Sequence, residues 1–62
     1  NQVILDLING NIKAAKQGAA KYSEAELLQA AIQILDKKAA NYSVAYLKGK
    51  IDWQVYCDNV KK

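Results

Sequence analysis

Tyr22-Ser23-Glu24-Ala25-Glu26-Leu27 carries the strongest local signal in the chain. Ser23 stands where a helix N-cap would accept a backbone N–H, and Glu26, three residues on, is placed to reach back to the Ser23 amide. Tyr22 before the cap and Leu27 after it have the spacing of a hydrophobic staple. The pattern predicts a helix from about Glu24 to Ala40, because Leu27, Leu28, Ala31, Ile32, Ile34, Leu35 and Ala39 keep helical phase over an arc of roughly 160°. An arc that wide predicts packing against two neighbours.

The motif recurs as Tyr42-Ser43-Val44-Ala45-Tyr46-Leu47. Ser43 is the expected cap of a second start, with Tyr42 set against Leu47. Tyr46 replaces the carboxylate that would complete the box, and the helix is expected over Val44 to Val60. Upstream, Ile4, Leu5, Ile8, Ile12, Ala15 and Ala19 share one face if a helix runs through Gly10 from Gln2 to Gln17, bent at that glycine. A hairpin at Asn9-Gly10-Asn11 would break that phase. Three helices with short links predict an all-α fold, a small three-helix bundle forming a single domain over 1–62. With no methionine anywhere, the chain is expected to be a domain cut from a longer protein.

Composition narrows the chemistry. Of 62 residues, 52% are hydrophobic, enough to bury a core. Nine lysines against six carboxylates leave a charge of +3, which favours acidic partners. Arginine is absent, and with it the main bidentate reader of guanine, so backbone or single-strand contact is favoured over major-groove readout. No histidine and a single cysteine, Cys57, remove most zinc sites, the Ser-His-Asp arrangement and any internal disulfide. The carboxylates show no spacing that suggests acid/base catalysis, and no Gly-Lys-Ser/Thr follows a glycine. A non-enzymatic protein without metal or cofactor is expected.

No apolar run reaches the length of a membrane span, so a soluble protein is expected, and the lone thiol suits the cytoplasm. Cys57 reads as a buried, inert thiol, with cross-linking in a secreted dimer as the competing reading.

The last expected helix carries two apolar stripes. Val44, Leu47, Ile51 and Val55 form one, and Tyr46, Lys50, Trp53, Cys57 and Val60 form another on the opposite side. A bundle this small covers only one of them. Either Trp53 sits in the core and the aliphatic stripe is partly exposed, or the second stripe is a seam for self-association or a binding surface on which Tyr46 and Trp53 stack bases beside a cationic rail of Lys48 and Lys50. Lys13 and Lys16 would extend that rail. Lys37, Lys38, Lys61 and Lys62 are expected near helix C-termini, where a cation suits the helix dipole.

The stretch Glu26-Leu27-Leu28-Gln29-Ala30-Ala31-Ile32-Gln33-Ile34-Leu35, then Asn41-Tyr42, then Tyr46-Leu47-Lys48-Gly49-Lys50-Ile51-Asp52-Trp53 resembles the C-terminal DnaD-like domain of bacterial, phage and plasmid replication-initiation proteins. The resemblance covers about half the chain, from Glu26 to Trp53. It implies a helix with Ala-Ile, an Asn-Tyr turn, and a following helix carrying Tyr, Gly, aliphatic residues and Trp. The function it implies is a DNA replication module that contacts DNA or recruits initiator, primase or helicase-loading proteins, with Tyr46 and Trp53 as the transferable positions. The alternative is a protein-interaction or oligomerisation module without nucleic-acid binding.

Overall fold

The computed structural model describes residues 2–60. Among the described residues the fold is all-helical, with five helices: α1 Gln2–Ile8, α2 Ile12–Ala19, α3 Glu24–Ile34, α4 Lys37–Leu47 and α5 Trp53–Val60. Each of the three long helices expected from apolar phase is divided or shortened, and the breaks have separate local causes.

Gly10 ends α1 with φ 84°. Its amide donates to the Leu7 carbonyl at 3.1 Å and the next amide, Asn11, donates to Asp6 at 2.7 Å, the paired bonds of a Schellman ending. Gly49 repeats this after α4: φ is 77°, Gly49 N–H reaches Tyr46 O at 3.0 Å, and Lys50 N–H reaches Ala45 O at 2.8 Å. A left-handed residue redirects the chain, so helical phase counted across either glycine loses its meaning.

The third break needs no glycine. Leu35 and Asp36 are extended, with ψ of 163° and 169°, and the Asp36 carboxylate accepts the Ala39 amide at 2.7 Å. Asp36 therefore starts α4, and Ser43, expected as a cap, lies inside that helix and is fully buried. At α3 the expected capping box is present. Glu26 N–H donates to Ser23 Oγ at 3.2 Å, and Ser23 N–H donates to Glu26 Oε1 at 3.1 Å. Asp52 does the same service for α5, accepting Val55 N–H at 3.0 Å.

α4 is the hub, touching α2, α3 and α5, and it buries Ala40, Ser43, Val44, Tyr46 and Leu47. Around it lie Ile4 and Leu7 of α1, Ala15 and Ala19 of α2, Leu27 and Ala31 of α3, and Tyr56 of α5. α1 and α2 meet closely at Gly18, where an added Cβ would lie 2.6 Å from Val3 Cγ2. Leu5 and Ile8, expected on the core face of the first helix, are exposed, as are Ile32 and Ile34 of α3. The turn at Gly10 leaves Val3, Ile4 and Leu7 on the buried side, and α3 meets two neighbours, α4 and α1, as its wide arc implied.

Lys37 and Lys38 were expected near a helix C-terminus and are instead the first two residues of α4, the end at which a cation opposes the dipole. The same expectation for Lys61 and Lys62 lies outside the described residues. Among the described residues, no helix is long and apolar enough to cross a membrane.

Candidate binding surface around Trp53

Three rings meet where α4 and α5 pack. Tyr46 and Trp53 stand edge to face with centroids 5.3 Å apart. Tyr56 lies 5.5 Å from Tyr46 and 5.3 Å from Trp53 in tilted contacts. Such pairs contribute about 0.5–1.5 kcal/mol each beyond the area they bury. The turn at Gly49 and the Asp52 cap bring Trp53 back over Tyr46, so the two rings meet across a turn and not along one helical face.

Their environments differ. Tyr46 is 6% exposed and belongs to the core, whereas Trp53 is 37% exposed and covers it from outside. Lys16 of α2 places Nζ 4.6 Å from the Tyr46 ring centroid, a cation–π contact. Tyr56 is buried and accepts a long 3.5 Å bond from Ser43 Oγ. Tyr56 was not among the residues singled out in the sequence; its spacing of i+3 from Trp53 on one helix is the signal that could have marked it.

The lysines expected to form a rail with these rings are used differently. Lys48 Nζ donates to the Tyr22 carbonyl at 2.6 Å and to the Ala19 carbonyl at 3.1 Å, fastening the end of α2 to the end of α4. Lys50 forms a two-oxygen ion pair with Glu24, at 2.6 and 2.7 Å. Both point toward the α2–α3 connection. Lys13 and Lys16 remain exposed on α2. Of the six residues proposed for binding, the structure thus groups Lys16, Tyr46 and Trp53, with Lys13 one turn away from Lys16, and it sends Lys48 and Lys50 elsewhere.

Glu26 lies beside that fastening. The Ser23 backbone amide, then the Ser23 hydroxyl, and after them the Lys48 charge hold its carboxyl below the usual carboxylate range. A shallow open groove lined by Tyr22, Ala25, Glu26 and Gln29 runs along the start of α3. Tyr22, expected as a staple on Leu27, is exposed at this groove while Leu27 is fully buried. Cys57 is a free, half-buried thiol, and among the described residues no group of three or more ligating side chains could hold a metal ion.

No family model, curated protein or solved structure matches the chain. The resemblance to DnaD-like domains therefore rests on the residues from Glu26 to Trp53 alone. Within that span Asn41 and Tyr42 lie inside α4, where the resemblance implies a turn, and Gly49 separates Tyr46 from Trp53.

Proposed function

We propose that the chain is a non-enzymatic binding module of a DNA replication-initiation protein, of primosomal or plasmid type, that recruits a replication protein through the surface centred on Trp53. The observation that carries the binding role is the tryptophan itself, 37% exposed and seated on two buried tyrosines. A large ring already held by its neighbours loses little side-chain entropy on docking, and such anchors dominate the energetics of interfaces. The replication context is supported by the resemblance over Glu26 to Trp53, and with it goes a cytoplasmic location in which Cys57 stays reduced.

Two facts favour a protein over DNA as the partner. The Tyr46 ring is closed to a stacking base, and Lys48 and Lys50 already have partners within the chain. DNA contact is the second reading, favoured by Lys16 beside the ring cluster with Lys13 one turn away. It would use one ring and two cations.

Trp53 is the sole tryptophan, so its emission reports docking directly. Titration with purified bacterial primase or helicase loader is expected to shift it, and a thymidine oligonucleotide is expected to act weakly, with log affinity falling linearly against log salt. A shift that depends only on the chain's own concentration would mean self-association in place of recruitment. An emission unmoved by replication proteins and oligonucleotides alike would remove the replication assignment.

A further inference from the structure

Lys13 is oddly placed for stability. It stands in the first turn of α2, where the unbonded N–H groups already concentrate positive potential. Lys16 follows one turn later on the same side, so the two ammonium groups repel each other. Neither meets a carboxylate among the described residues. The chain has no Asp or Glu between Asp6 and Glu24, and the positions three and four away from these lysines hold Asn9, Gly10, Ile12, Gln17, Ala19 and Ala20. Lys50, by contrast, has its own acid in Glu24.

Lys16 also lies over Tyr46, and Tyr46 touches Trp53. Two cations without a carboxylate among the described residues and one partly exposed indole therefore form one strip that runs from α2 through the Tyr46 ring to α5. We propose that this strip docks a short acidic protein segment, with carboxylates one helical turn apart on Lys13 and Lys16 and one large apolar side chain on Trp53. The inference rests on the recruiting role above and specifies the chemistry of the partner. Charge complementarity calls for acid. The size of the strip calls for a peptide, because a nucleic-acid strand is followed by rows of cations and successive rings. The spacing of the two lysines matches carboxylates at i and i+3 or i+4 of an acidic helix.

The probe is a synthetic amphipathic peptide with glutamates at helical spacing around a central leucine, followed through Trp53 emission. Its glutamine counterpart and a thymidine oligonucleotide of equal charge are the comparisons. The glutamate peptide is expected to bind saturably, to weaken as salt rises from about 50 to about 200 mM, and to lose about tenfold in affinity with Lys13→Glu. Lys13 is exposed and stands in the first turn of α2, where an acid suits the helix dipole, so helicity by circular dichroism is expected not to fall. A peptide with lysines in place of the glutamates is expected to prefer the Lys13→Glu, Lys16→Glu double variant. Equal binding of the glutamate and glutamine peptides, an indifferent Lys13→Glu, or tighter binding of the oligonucleotide would each overturn the acidic-segment assignment. If the peptides fail while a replication protein still shifts Trp53, only this assignment falls; if nothing shifts it, the recruiting role falls as well.

Discussion

The Glu26 carboxylate accepts the Ser23 amide at 3.1 Å, and its pKa is held below the ordinary range. Ionised Glu26 therefore contributes stability at every pH above the ordinary carboxylate range of the unfolded chain. That contribution disappears as pH falls through the depressed folded-state value. Melting temperatures of the protein and of Glu26→Ala are expected to differ at neutral pH and to converge in acid. A gap that widens on acidification would contradict the assigned sign. Ser23 was readable from sequence because Glu26 completes the box. Ser43 sits in the same six-residue pattern but is followed by Tyr46, and it is a buried side chain against Tyr56, not a cap. The true start, Asp36, was obscured by Leu35 beside it, which continues the apolar phase of α3 in sequence while its backbone is already extended.

At the scale of elements, the ends of helices govern the arrangement. Lys48 supplies hydrogen bonds to the Ala19 carbonyl at the end of α2, which also accepts the Tyr22 amide, and to the Tyr22 carbonyl in the α2–α3 connection. Lys48→Met keeps most of the aliphatic stem and removes both bonds, and it is expected to cost about 1–2 kcal/mol. The check is a lower urea midpoint together with faster hydrogen exchange at the Lys21 and Tyr22 amides, which bond to Gly18 and Ala19. An unaltered midpoint and unaltered exchange would mean that the fastening holds nothing. Such long-range side-chain bonds leave no periodic trace. Lys48 and Lys50 therefore read as a cationic rail from spacing alone, while in space they turn toward the α2–α3 connection. The first expected helix failed for a related reason: Ile8 and Ile12 are in phase on paper, but Gly10 between them resets the direction of the chain.

For the whole molecule, the radius of gyration is 10.0 Å, close to the roughly 10 Å expected of a compact chain this long. The all-helical class was readable from the absence of proline, the Ser23 box and the spacing of apolar residues. The number of helices was not, because it depends on two glycine dihedrals and one aspartate cap. Trp53 and Tyr46 were readable as neighbours, yet only their packing separates the buried ring from the exposed one. Gly10 and Gly49 have φ of 84° and 77°, and an added Cβ at either would meet nothing within 4 Å. A mirror-image alanine prefers that backbone region, so D-Ala at each position should raise stability by roughly 0.5–1 kcal/mol by narrowing the unfolded ensemble. The L-enantiomer at the same sites should lower it, a contrast that differential scanning calorimetry of synthetic chains would measure. Handedness at two exposed corners then becomes a stability dial that leaves the lysine and indole strip untouched.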